Sequence, residues 1–153
     1  MNIFVLSKSP IMSAKWQCDK HVVKMPTETG QMLSTALFIN GVQGYWKPCH
    51  LKHPCTIWAA QTRSNFDWLI AHGYALCNEY TNRYGKTHGA LAAIQFAEIF
   101  RLCIPEGKLT PFPLAMPDER KQQDNVVQSY RNYYLIDKRS FATWKTNKPN
   151  WYN

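Results

Sequence analysis

Apolar positions recur at helical spacing over most of this chain. From Ile11 to Ile39, residues Ala14, Cys18, Val22, Met25, Met32, Leu33 and Ala36 trace one buried helix face. Ser9-Pro10 supplies a start, a capping hydroxyl followed by a proline at the first helical position, and Asn40-Gly41 supplies a stop. Pro26 lies inside and predicts a kink or a split, because its ring removes one backbone hydrogen bond and crowds the preceding turn. A second helix is predicted from Pro54 or Thr56 to Arg83, on the period of Phe66, Leu69, Ile70, Gly73, Leu76, Cys77 and Tyr80. Ser64 and Asp67 have capping-box spacing and would divide it near Arg63, while Gly85 ends it. A third helix is predicted over His88 to Cys103, apolar at Leu91, Ile94, Ile99 and Leu102 and stopped by Pro105. The last is predicted from Gln123 to Trp144. Its stripe of Tyr130, Tyr133, Tyr134 and Phe141 reads mostly as core.

The segments between carry other patterns. Asn2 to Leu6 is a β-type run, a short strand or an extended arm. Residues 41–56 and the proline-rich 105–118 read as loops, and Lys145 to Asn153 as a basic, aromatic tail. There is no repeat, low-complexity run or linker. The expected architecture is mainly α: a single compact multi-helix domain, 1–153, with a short extended N-terminal segment and an aromatic C-terminal tail.

Composition sharpens this picture. An apolar fraction of 45% and an aromatic fraction of 14% exclude a wholly disordered chain. Lysine and arginine outnumber the acids 18 to 10, for a formal charge of +8. That favours a polyanionic partner: nucleic acid first, nucleotides second, acidic membrane third. Met1 to Leu6 is too short for a signal peptide, and no apolar window is long enough to span a bilayer. The expectation is a soluble cytoplasmic protein with no membrane partner. Five cysteines, an odd number at irregular spacing, read as reduced thiols, with Cys77 and Cys103 at core positions.

The densest chemistry lies between Cys18 and Glu28. Lys20, His21, Lys24 and Glu28 put two amines, an imidazole and a carboxylate on neighbouring helical turns. A lysine beside a histidine and a carboxylate can be a nucleophile, an acid/base pair or a phosphate clamp; a solvated face with ordinary ion pairs is the plainer reading. Two lysines one turn apart lower each other's pKa, so Lys24 is the candidate helix nucleophile and His21 and Glu28 the proton carriers. Cys18, His21, His53 and Cys55 could together supply four zinc ligands, although the paired Cys-x2-Cys signature is missing and buried thiols explain them as well. No cofactor other than such a zinc is expected.

Aromatic and basic residues also interleave, at Tyr45-Trp46-Lys47, Tyr130-Arg131, Trp144-Lys145 and Lys148 to Trp151-Tyr152, a pattern that stacks bases and holds phosphates. The tail has no periodic reason to be buried and is the better candidate for ligand contact. Arg83, Lys86 and His88 flank Gly85 before a helix and could hold a phosphate, or form a plain basic turn. Asp118-Glu119 reads as a helix-start acid pair before catalytic carboxylates.

Three landmarks together resemble the small α-helical pyrimidine-dimer DNA glycosylases of the endonuclease V type. They are the N-terminal segment leading into a charged helix with an internal proline, His53-Pro54 before a helix carrying Trp68-Leu69 and ending in Glu79 to Gly85, and a final helix leading to Trp144 and Trp151-Tyr152. The stretches Cys18 to Met25 and Thr110 to Glu119 also resemble a group of uncharacterised phage proteins. The glycosylase resemblance implies a helical fold, a DNA partner, a flipped base and an N-terminal amine nucleophile helped by a glutamate on the first long helix. Residue 2 is Asn, before which methionine is generally retained, so the amine would be that of Met1. Alignment sets His21 or Lys20 near the family's glutamate, with Glu28 a turn or two later.

The leading expectation is therefore a DNA-acting glycosylase/lyase. Its catalytic candidates are Met1, Lys20, His21, Lys24 and Glu28. Its phosphate and base contacts would be Lys47, Arg83, Lys86, His88, Arg131, Lys145, Lys148, Trp151 and Tyr152. The rivals are a non-catalytic nucleic-acid- or nucleotide-binding module, such as a phage factor acting on host machinery, and a zinc-stabilised structural protein.

Overall fold

Ser9 Oγ accepts the Met12 N–H and Pro10 follows it, so a helix begins where the capping signal lies. It is short, however: α1 spans Pro10–Lys15, and α2 starts afresh at Asp19 and runs to Ile39. The single long helix expected from Ile11 is thus two, and the break falls at Trp16–Cys18, well before the proline. Its cause is tertiary. The carbonyls that would continue α1 are taken elsewhere, Lys15 O by Arg83 Nη2 (3.0 Å) and Trp16 O by the Trp144 indole (2.9 Å). Pro26 is buried and α2 continues through it.

In this computed structural model, which describes all 153 residues, the remaining helices are α3 (Pro54–Gln61), α4 (Arg63–Tyr84), α5 (Leu91–Ile99) and α6 (Val126–Asp137). There is no strand. The division between α3 and α4 comes near Arg63 as read, but the cap is Thr62, whose hydroxyl accepts the Asn65 N–H. Gly85 closes α4 at φ +66°, the left-handed cap that glycine adopts without strain. The third helix is shorter than its apolar period. It gives way at Phe100 to a 3-10 turn, Arg101–Cys103, which leaves Ile99 (74%), Leu102 (67%) and Cys103 exposed instead of buried.

One continuous core collects side chains from Ile3 to Tyr152. α2 and α4 cross at its centre with α5 against them. A Cβ on Gly73 of α4 would lie 2.9 Å from both Thr29 Cγ2 and Ile94 Cδ1, so a bare backbone is needed there. The proline-rich loop is tied to α3 and α4. Thr110 donates its N–H to Asn65 Oδ1, and Asn65 Nδ2 bonds Trp58 O and Thr110 Oγ1.

The two chain ends are held in unexpected ways. The first six residues are neither strand nor free arm. Their backbone is satisfied by side chains: Gln17 Nε2 donates to Ile3 O, Ser13 Oγ to Phe4 O, and Arg131 Nε to Leu6 O. The final helix stops at Asp137, and the chain folds back over the α1–α2 break. There Asp19 donates its N–H to Thr143 O, and its carboxylate accepts from Lys145 N.

Beneath that fold-back sits Arg83, its side chain wholly buried. It meets Glu79 (2.8 Å), Asp19 (2.9 Å) and Lys15 O (3.0 Å), and Glu79 also accepts from Asn147 Nδ2 (2.8 Å). Arg83 is therefore a structural tie rather than a phosphate contact. Arg83→Ala would strand a carboxylate at Glu79 that is 1% exposed. Urea unfolding should show a loss of about 3 to 5 kcal/mol, the usual result of breaking a buried pair from one side.

Candidate active site

Lys20, Lys24 and Glu28 occupy successive turns of α2, and His21 and Met25 lie beside them. The N-terminal segment runs across this face. Asn2 sets its path: Oδ1 accepts the N–H groups of Ile3 (2.8 Å) and Phe4 (3.1 Å), and Nδ2 donates to Ala115 O (2.7 Å). The turn forces Phe4 to φ +56°, a conformation that an L side chain adopts at a penalty of about 1 to 2 kcal/mol. Its ring then stacks on His21, centroids 4.2 Å apart.

The result is a cavity of about 320 Å³ between the N-terminal segment, α2 and the end of α6. Glu28 is at one wall, 11% exposed. Its Oε2 accepts the Asn2 N–H (2.9 Å) and lies 3.7 Å from the Met1 amine, while Oε1 is 3.2 Å from Lys24 Nζ. Two amines thus bracket one carboxylate. The Met1 side chain is buried and anchors its amine, whereas the Lys24 side chain is 70% exposed. Thr56 Oγ1 approaches Met1 Sδ at 3.5 Å and anchors that residue from the far side. His53 sits beyond it. Burial first, then the charge of the terminal amine, lower its pKa.

The opposite wall is aromatic and basic. Phe4, Tyr133 and Phe141 supply rings. Lys20 Nζ lies 4.9 Å from the Phe141 centroid, and Lys138 Nζ lies 4.2 Å from that of Tyr133. Met1, Lys20, Lys24 and Lys138 bring four formally cationic groups against the single carboxylate of Glu28. Such a pocket suits an acceptor-rich, anionic, flat ligand. His21, 7% exposed, bonds Tyr134 through Nδ1. Desolvation foremost, then the charges of Lys138 and Lys24, hold its pKa down to about 3.

The five catalytic candidates Met1, Lys20, His21, Lys24 and Glu28 all line this one cavity. The carboxylate against the terminal amine is Glu28, so the position next to the amine belongs to it and not to Lys20 or His21. Sequence alone does not place the side chains of Asn2, Phe4 and Lys138 at this site. Lys138 stands one turn past Tyr134 on the same stripe, but only the end of α6 at Asp137 turns it into the cavity.

The binding candidates divide. Lys86, Lys145 and Lys148 are exposed, Lys145 over the Tyr84 ring (5.0 Å) and Lys148 over that of Tyr152 (5.7 Å). Lys47 is exposed on the loop before α3. The others are engaged inside the protein. His88 Nε2 donates to Val23 O and Nδ1 accepts from Ala90 N, which ties the start of α5 to α2. The Arg131 guanidinium lies between the rings of Trp16 (5.3 Å) and Trp151 (5.1 Å). Tyr152 is 8% exposed and Trp151 packs edge-on against Trp16 and Tyr134, so the tail aromatics belong to the core and not to a ligand surface. Asp118 and Glu119 begin a 3-10 turn, with Asp118 paired to Lys121. The four side chains considered for zinc do not meet: Cys18 lies by Tyr134, His53 and Cys55 by Met1, and no group of three or more potential ligands is gathered. No helix is long and apolar enough to cross a membrane.

Residues 1–91, more than half of the chain, match the family model described as pyrimidine dimer DNA glycosylase. No curated protein and no solved structure matches significantly. The matched span includes the N-terminal segment, all of α2 and the Arg83 tie, but not the Tyr133–Phe141 wall.

The buried histidines set a pH dependence. His21 is lowered to about 3. His72, buried between Pro10 O and Gln17, is lowered to about 4 by desolvation, both from an ordinary 6.5. The unfolded chain takes up protons that the folded chain refuses. Their contribution is complete above about pH 6.5 and is lost as pH falls from there toward 4 and 3. Thermal melts should show stability declining over that window, by up to about 1.4 kcal/mol per pH unit per histidine, with His72→Gln flattening the decline.

Proposed function

The chain belongs to the pyrimidine dimer DNA glycosylase family, and from that premise we propose that it excises a base from DNA through an imine formed on an amine of this cavity. The observation that carries the reading is the pairing of the Met1 amine with the Glu28 carboxylate at 3.7 Å, inside a cavity lined by rings and lysines.

In the first step the amine nitrogen attacks C1′ of the target nucleotide. Glu28 takes the proton that frees the amine's lone pair; the C1′–N bond breaks, and the base leaves with the bonding pair and takes the proton released by the nitrogen that has attacked. Glu28 passes its proton to the sugar oxygen as the ring opens, which yields the imine. Loss of a C2′ proton then expels the 3′ phosphate. The buried Met1 side chain and the Asn2 N–H bond to Glu28 hold the Met1 amine in register with the carboxylate, which favours it over the exposed Lys24 as the attacking group. Lys24 retains the same carboxylate at 3.2 Å and is the alternative nucleophile. Phe4, Tyr133 and Phe141 would stack on the extruded nucleotide, and Lys20, Lys24 and Lys138 would hold its flanking phosphates.

Borohydride reduction of the protein incubated with an abasic-site duplex should trap a covalent complex. Peptide mass should map the bond to Met1, and a bond at Lys24 would transfer the role. Glu28→Gln should lower trapping by about 10²-fold or more, as expected for loss of a positioned proton acceptor. Salt-dependent binding with no trapped complex would overturn the enzyme reading in favour of a binding module. Lys20→Ala, Lys86→Ala and Lys145→Ala should each weaken binding regardless of DNA sequence and reduce the salt slope by about 1.

A further inference from the structure

The least expected group in the cavity is His21. It sits among Met1, Lys20, Lys24, Glu28 and Lys138, where an imidazolium would add a fifth positive charge. Its own contacts give it a different task. Tyr134 is wholly buried, and its hydroxyl oxygen accepts the Cys18 N–H (3.4 Å), the capping N–H of α2. With that side of the oxygen occupied by a donor, the phenol proton points toward one of two acceptors, His21 Nδ1 or the Cys18 sulfur. The imidazole nitrogen is much the stronger acceptor. Burial raises the Tyr134 pKa well above its ordinary value, so the phenol keeps its proton to donate. The chain of donation therefore runs from Cys18 N–H to Tyr134 O–H to His21 Nδ1. The imidazole proton is left on Nε2, and no group of the protein bonds that atom.

We propose that Tyr134 locks His21 as the neutral Nε2–H tautomer, which donates a hydrogen bond to an uncharged acceptor oxygen of the nucleotide in the cavity, such as a base carbonyl. This rests on the proposed function for the identity of the ligand, but not for the tautomer. His21 is then a fixed donor and not a proton carrier, consistent with a pKa held near 3, and Tyr134 is a positioning residue. The stack on Phe4 and the edge contacts with Tyr134 and Phe141 (5.2 and 5.7 Å between centroids) fix the ring plane in which Nε2–H points.

The tautomer can be read directly from two-bond 15N–1H correlations of the His21 ring in the full-length protein. The expected result is the Nε2–H pattern, unchanged from pH 5 to pH 8. Tyr134→Phe should abolish the lock, giving a mixture of tautomers. An Nδ1–H pattern, or a titration within that range, would overturn the proposal. The second arm adds a duplex carrying an ultraviolet thymine dimer and, separately, thymidine 5′-monophosphate, both of which bring base carbonyls. Either should shift the His21 Nε2 resonance. His21→Gln, which retains an N–H donor near the same place, should keep most of the affinity that His21→Phe loses by about 10-fold. Equal affinity in both variants, with the Nε2 resonance unmoved by a bound ligand, would overturn the donor role. Because the tautomer is measured without ligand, a protein that binds neither probe would refute the proposed function while the first arm still decides the lock.

Discussion

Arg83 is the tie on which the arrangement of the molecule depends. A guanidinium removed from water must be matched on nearly all its donors, and here the matches come from separate parts of the chain: Glu79 on its own helix, Asp19 at the start of α2 and the last carbonyl of α1. Asp19 and Glu79 in turn hold the C-terminal fold-back through Lys145 N and Asn147 Nδ2. Because Asp19 is the first residue of α2, this network sets where that helix begins and which way it faces. Lys20, His21, Lys24 and Glu28 inherit their direction from it.

The cavity joins two kinds of rigidity. At one wall, Asn2 holds the N-terminal turn, and Glu28 accepts from its backbone, so the terminal amine meets the carboxylate at a set distance. At the other, the Cys18–Tyr134–His21 chain and the ring stack hold a neutral imidazole among lysines. This second wall is incomplete without α6 and the segment after it, which supply Tyr133, Lys138 and Phe141. The lining is rich in donors and poor in acceptors, and Glu28 is its one carboxylate. That asymmetry suits a phosphate-bearing ligand, and in the proposed chemistry it leaves Glu28 as the one carboxylate that could take the proton.

Basic residues that look alike in sequence have separate fates. Arg83 and Arg131 turn inward because guanidinium can satisfy several carbonyls and carboxylates at once and lie against indole rings, as Arg131 does between Trp16 and Trp151. Lys20, Lys86 and Lys145 stay exposed, since a compact ammonium is strongly hydrated. The tail aromatics Trp144, Trp151 and Tyr152 are drawn down with the arginines. Of the basic residues read as binding candidates, those left at the surface for a polyanion are lysines.

Hydrophobic periodicity along the chain sufficed to establish the helical class, the core faces of α2 and α4 and the ionisable cluster on α2, because these depend on spacing within one helix. The α2 positions Val22, Met25, Met32, Leu33 and Ala36 are all buried. Periodicity could not reveal that α1 stops where its carbonyls are claimed by Arg83 and Trp144, so the break at Trp16–Cys18 was invisible in it, as was the end of α6 at Asp137. Nor could it separate Arg83 from Lys86, bring Asn2 and Lys138 to the cavity, or choose Glu28 over its neighbours as the partner of the Met1 amine. Each of those outcomes is a contact between residues far apart in the chain. Local sequence carries propensity, but the pairing of a buried charge or a cavity wall exists only once the elements have packed.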